Sequence, residues 1–154
     1  MSPSWGYSIS GLDPDRTAIA SARDLPISFK DAVEICAYLR GRMLQEAKEI
    51  LEDVIAKKRV IPYKRFKKKL AHRRTSEKWV VGRYPVKASE YILKLLENVE
   101  ANAEYKGLNT DRLKIIHLAA QKGSVIKKFI PRAYGRSTPY YQQLVHVEVA
   151  VEEV

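Results

Sequence analysis

The spacing of hydrophobic and polar residues changes several times along this chain, and each change marks an element. Thr17 to Leu25 alternates in part and stops at Pro26, which predicts a short strand. Phe29, Val33, Cys36 and Ala37 then recur at helical spacing, with Ile35 and Leu39 beside them. Ser28 is placed as an N-cap, Asp31 favours the positive end of the helix, and Gly41 ends it. Leu44, Ala47, Leu51, Val54 and Ile55 predict a second helix to about Lys57, with Glu46, Glu49, Glu52 and Asp53 largely on its other side. No sustained period follows until Pro85. Ala88, Ile92, Leu95, Val99 and Ala103 then give the buried face of a long third helix, stopped by Gly107.

Beyond a turn at Asn109 to Asp111, Leu113 to Ala120 reads as a strand. Near the end, Val145, Val147, Val149 and Val151 alternate with His146 and Glu148, the period of a half-buried strand. Pro131, Gly135 and Pro139 punctuate the segment between them. The pattern predicts one hairpin whose base packs on a core and whose tip cannot. Arms of about 10 residues at ~3.3 Å each would carry the tip ~30 Å from the base. The fold class expected is α+β: three helices packed on a small three-stranded antiparallel sheet, with a long projecting β-hairpin. We expect one domain over 1–154. Within it, 1–16 forms an extended arm, pinned by Trp5 and Tyr7. Residues 17–58 hold a strand and two helices, 59–85 a basic irregular loop, 86–107 the long helix and 112–151 the hairpin.

Charge sharpens this picture. The 154 residues carry a net charge of +10, which favours an anionic partner. Lys57 to Arg74 holds ten basic residues and no acid, and Lys122 to Tyr141 holds five and no acid. The rest of the chain has 13 basic and 18 acidic residues, a net of −5. An acidic body thus carries two basic projections. Cys36 is the sole cysteine, so no intrachain disulfide can form and a reducing compartment is expected. Neither a signal peptide nor a membrane-spanning run of ~18 apolar residues is present in the pattern.

Catalytic chemistry finds little support. His72, His117 and His146 lack metal-ligand spacing with one another or with Cys36. His117 and His146 lie on facing strands and are expected to pair structurally. Glu90, Glu97, Glu100 and Glu104 form a polar stripe on the third helix. No phosphate-cradling glycine loop occurs, and a nuclease fails for want of acids in the basic segments. No enzyme activity, metal or cofactor is expected.

The basic segments differ from an ordinary solvated charge run because aromatic residues interleave them. Tyr63-Lys64-Arg65-Phe66-Lys67-Lys68-Lys69 is one such run and Phe129-Ile130-Pro131-Arg132-Ala133-Tyr134-Gly135-Arg136 the other. Cations contact phosphates while rings stack on unpaired bases, and irregular loops suit RNA better than a uniform DNA groove. The candidate RNA-binding residues are Lys57, Lys58, Arg59, Lys64, Arg65, Lys67, Lys68, Lys69, Arg73, Arg74, Arg83, Lys122, Lys127, Lys128, Arg132 and Arg136. The alternative is a free nucleic-acid-binding regulator that uses the angled helix pair of 28–57. Against it stands the acidity of the second helix, since a helix in a DNA groove should be basic.

Pro131-Arg132-Ala133-Tyr134-Gly135-Arg136, followed by Pro139-Tyr140 and Val145-His146-Val147-Glu148, resembles the hairpin signature of the large-subunit ribosomal protein L twenty-two family, called L seventeen in eukaryotes. Leu39-Arg40-Gly41 and Ala101-Asn102-Ala103-Glu104 are similar to that family too. Val60-Ile61-Pro62-Tyr63-Lys64-Arg65, Gly82-Arg83-Tyr84-Pro85 and Lys106-Gly107-Leu108 resemble its archaeal and eukaryotic branch. Bacterial members are shorter and lack most of the 59–85 segment. The resemblance runs over nearly the whole chain from Thr17. Ile130 departs from the polar or basic residue usual in eukaryotic forms. The resemblance implies a non-enzymatic, cytoplasmic constituent of the large ribosomal subunit that binds its RNA and supports assembly. It implies neighbouring ribosomal proteins and the nascent polypeptide as partners. It also implies that the hairpin lines the peptide exit tunnel, with Arg132, Ala133, Tyr134, Gly135, Arg136 and Ser137 at the tip.

Overall fold

A computed structural model describes residues 6–73 and 79–154. In chain order the elements are β1 (Thr17–Leu25), α1 (Phe29–Leu39), α2 (Leu44–Ile55), β2 (Ile61–Pro62), β3 (Gly82–Arg83) and α3 (Val86–Tyr105). There follow β4 (Leu113–Ile126), β5 (Phe129–Pro131), β6 (Ser137–Pro139) and β7 (Gln142–Glu153). The architecture is α+β. The main sheet is antiparallel in the order β1-β7-β4, so the valine-rich last strand is central.

Alternation decides the two faces of this sheet. Val145, Val147, Val149 and Val151 share a side with Ala18 and Ala20 of β1 and with Leu113, Ile115 and Leu118 of β4, and all are buried. The helices cover that side: α1 lies over β4, and α3 over β1 and β7, with α2 packed on α3. Ser28 caps α1 by accepting the Asp31 N–H at 3.4 Å. Gly41 takes φ +83°, a conformation glycine adopts without steric penalty, and its N–H donates to the Ile115 carbonyl at 2.8 Å. The corner between α1 and α2 is therefore fastened to the sheet.

Several expectations need correction. Val33 is only half-buried and Ala37 is exposed; the core face of α1 is Ala32, Ile35, Cys36 and Leu39. Glu100 is not merely part of a solvated stripe, since it pairs with Lys48 and accepts from Gln45 at 2.8 Å, joining α3 to α2. His117 and His146 are not opposite each other. A register shift between Ile115 and His117 sets His117 against Ala150 and Gln121 against His146.

The face of the sheet away from the helices is also partly covered. Glu148, 8% exposed, accepts the backbone N–H and the hydroxyl of Ser8. His117 Nε2 lies 2.9 Å from its Oε1, and the Gln121 amide donates to the same oxygen at 3.2 Å. Ser8 thus pins the N-terminal arm, and beside it half-buried Tyr7 lines a small hollow with Ala22 of β1 and Val147 of β7; Trp5 lies outside the described residues.

Candidate nucleic-acid interface

The described residues of the 59–85 segment are largely irregular, yet both ends are anchored by residue types the sequence already shows. Val60, Ile61 and Tyr63 are buried. β2 pairs with β3, and His72 bridges Val81. The Trp79 indole N–H donates to the Tyr63 carbonyl at 2.9 Å, and the Tyr63 hydroxyl donates to Asp31 Oδ1 at 2.6 Å.

Glu34 of α1 holds the middle of the segment. It is 2% exposed, and its carboxylate accepts the backbone N–H groups of Lys64 (3.1 Å), Arg65 (2.9 Å) and Phe66 (2.6 Å). The stretch from Lys57 to Arg74 has no acid of its own, so a carboxylate from another element satisfies its backbone. With the chain held from behind, the side chains of Lys64, Arg65, Lys67, Lys68 and Lys69 are exposed. Sequence reasoning missed Glu34 because an isolated acid on a helix reads as a solvated position. Its spacing beside Ile35 and Cys36 was the available signal.

The second basic segment reaches the other flank of α1. A groove of about 340 Å³ runs between Lys64 and Arg65 on one side and Leu118 and Ala120 of β4 on the other, floored by Val33 and Ala37. The Arg40 guanidinium donates to the Leu118 carbonyl at 2.8 Å. Lys122 Nζ lies 5.6 Å from the Phe29 ring centroid. Cations more than 50 residues apart in sequence thus line the same helix, and α1 residues expected in the core lie between them.

Beyond Lys122 the hairpin loses its second layer. A register shift between Lys122 and Val125 marks the change, and the Gln143 amide fills it by donating to the carbonyls of Gly123 (2.8 Å) and Leu144 (2.9 Å). β5 and β6 continue the ribbon. Val125, Ile126, Phe129, Tyr134, Tyr140 and Tyr141 are all exposed, Tyr134 fully. The Arg132 N–H donates to the Arg136 carbonyl at 2.8 Å, and Tyr134 (φ +59°) and Gly135 (φ +65°) turn the chain. A two-stranded ribbon with apolar rings in water is marginal alone and is suited to a surface that accepts rings and cations together.

The remaining candidates are placed as follows. Lys57 and Lys58 are exposed just past α2, and Lys57 has φ +58°. Arg59 is half-buried and donates to the Tyr38 hydroxyl at 3.2 Å, which ties it to α1. The Arg73 guanidinium lies 5.0 Å from the Tyr84 ring, and Arg83 is exposed. Lys122, Lys127, Lys128, Arg132 and Arg136 are exposed along the ribbon, where Lys128 donates to Gln142 Oε1 at 2.8 Å. Arg74 lies outside the described residues. Among the described residues no cluster of His, Cys, Asp or Glu could hold a metal ion, and no helix is long and apolar enough to cross a membrane. α2 presents Glu46, Glu49 and Glu52 outward, an unsuitable surface for the regulator alternative.

The sequence profile of a family described as "Ribosomal protein L22p/L17e" matches residues 20–152. A protein of Archaeoglobus fulgidus named "Large ribosomal subunit protein uL22" is 55% identical over 146 residues, 95% of this chain and 94% of its own length. Proteins of the same name from Methanopyrus kandleri and Staphylothermus marinus are 53% and 50% identical. The first alignment covers 97% of this chain and 96% of the relative, the second 99% of each.

Proposed function

The chain belongs to the ribosomal protein L22p/L17e family, and from that premise we propose how it serves the large ribosomal subunit. It is a structural constituent of that subunit in the cytoplasm, not an enzyme, and ribosomal RNA and other ribosomal proteins surround it. In our reading its 154 residues act as one domain that binds large-subunit RNA through two arrays. The first is Lys57, Lys58, Arg59, Lys64, Arg65, Lys67, Lys68, Lys69, Arg73, Arg74 and Arg83, which neutralise phosphates and support assembly. The second is Lys122, Lys127, Lys128, Arg132 and Arg136. The hairpin follows the exit tunnel, and Arg132 to Ser137 meet the nascent polypeptide.

The observation that carries this reading is the ribbon beyond Lys122. It is basic, free of acid, and exposes Phe129, Tyr134, Tyr140 and Tyr141. Such a surface is stable only when covered, and a polyanion with accessible bases is the cover that matches both its rings and its charge. The test is sedimentation of the tagged chain through a sucrose gradient with cross-linking at the tip. Co-migration with large subunits and cross-links from Tyr134 to nascent chains are expected. A chain that stays at the top of the gradient would refute the reading.

A further inference from the structure

A cleft of about 490 Å³ lies between the first turn of α1 and the basic loop, a volume that admits one small organic ligand. Three chemistries meet in it. Half-buried Phe66 and Leu70 give it an apolar wall. Asp31 supplies a carboxylate, held in orientation by the Tyr63 hydroxyl at 2.6 Å. Burial, together with that hydrogen bond, pushes the Tyr63 phenol well above its ordinary range, so the phenol stays a donor. Lys30, Arg65, Lys69 and Arg83 stand around the rim, with Lys30 Nζ 5.7 Å and the Arg65 guanidinium 5.6 Å from the Phe66 ring centroid.

No simpler ligand accounts for all three. A phosphate alone would be repelled by the carboxylate. An apolar peptide would leave the ring of cations without a partner. An unpaired nucleotide satisfies each part: its base has a flat apolar face for Phe66, its edge has N–H donors for Asp31, and its flanking phosphates lie where the rim is cationic. We propose that this cleft receives one unstacked nucleotide of RNA, with the base against Phe66 and its Watson–Crick edge donating to Asp31. Guanine is the preferred base, because its N1–H and N2 amino group are adjacent donors and a carboxylate is a two-oxygen acceptor. This rests on the RNA-binding reading above and adds to it the place and chemistry of one base-specific contact.

The test compares two five-nucleotide RNAs, one all uridine and one with a central guanosine, each titrated with the full chain by fluorescence anisotropy. A preference of about tenfold for guanosine is expected, the size of a good two-point base contact. Asp31→Asn should abolish the preference while all-uridine RNA binds as well or better, since a negative charge has left the cleft. Phe66→Leu keeps an apolar wall but not a ring, and should weaken both RNAs by roughly tenfold. Equal affinity of the unaltered chain for the two RNAs, or a preference that survives Asp31→Asn, overturns the proposal. A large-subunit RNA fragment titrated in parallel separates the two readings. Tight, salt-sensitive fragment binding without guanosine preference removes the cleft site alone; no fragment binding removes RNA recognition altogether.

Discussion

The Glu34 carboxylate accepts the backbone N–H of Phe66 at 2.6 Å, from a position on α1 that is 2% exposed. Arg65 and Lys64 donate to the same group, so one buried charge orders the start of the Lys64–Lys69 run. Charge-assisted bonds are worth more than neutral ones. Glu34→Ala should destabilise the fold by about 2–4 kcal/mol. Hydrogen exchange should show the amides of residues 64–66 losing protection well before those of β7. Unchanged protection there would mean that β2, β3 and Trp79 suffice to hold the loop.

Cys36 makes a pH prediction. Burial pushes its thiol from an ordinary 9.0 up to about 12, with nearby Arg40 opposing the shift in part. The native thiol is therefore neutral at pH 8 and should react with alkylating reagents far more slowly than in the unfolded chain. As pH rises past 9, the unfolded chain gives up this proton and the native one keeps it. The unfolded state then binds fewer protons, so stability falls between pH 9 and 12. Tyr63 acts in the same direction. Melting temperature against pH should decline over that window, and less steeply in Cys36→Ala.

Gly123 tests the junction between body and ribbon. A Cβ there would lie 2.7 Å from His146 Cε1 and 2.9 Å from Nε2. The imidazole would have to turn, and its Nδ1 accepts the Asp24 N–H at 3.0 Å. Gly123→Ala should lower stability by about 1 kcal/mol and speed exchange of the Asp24 amide. An unaltered Asp24 amide would show that the ring shifts without releasing it.

The long helices and strands were legible because their periods are sustained, and Pro26, Gly41 and Gly107 mark the ends of β1, α1 and α3. The buried face of α3 could be read directly, since Ala88, Ile92, Leu95, Val99 and Ala103 all enter the core. α1 was harder. It packs on the sheet and also on a loop, so both flanks carry apolar or half-buried residues, and periodicity alone cannot rank Val33 and Ala37 against Ala32. The pairing of His117 with His146 failed because the strands meet with Leu113 opposite Glu153, which puts His117 opposite Ala150 and four positions from His146; alternation reveals which face a residue takes but not the register between two strands. The charge segregation of the candidate interface was visible in sequence. Its supports were not, because Glu34 and Asp31 act on residues about 30 positions away.

RNA affinity should depend steeply on salt. About ten phosphate contacts imply a log–log slope on the order of −7 to −9. Replacing Lys67, Lys68 and Lys69 with glutamine should flatten that slope by roughly 2–3. A slope near −2 for the unaltered chain would mean that the basic segments are not the binding surface.

The tip and the loop should fail differently. Arg132 to Ser137 lie at the end of a ribbon with no second layer, so removing them subtracts few contacts from the body. The cations of the 57–74 loop and of Lys122 at the hairpin base remain. The tip deletion should therefore fold, bind ribosomal RNA and enter subunits, while changing the pausing of particular nascent chains and the access of drugs that lodge in the tunnel. Removing the charge of Lys64, Arg65 and Lys67 to Lys69 should do the reverse, weakening assembly through lost counterion release and sparing the tunnel. Subunit profiles and ribosome stalling, compared in cells carrying each variant, separate the two. If the tip deletion abolished incorporation while the loop variant assembled normally, the division of labour would be inverted, and the ribbon rather than the loop would be the anchor.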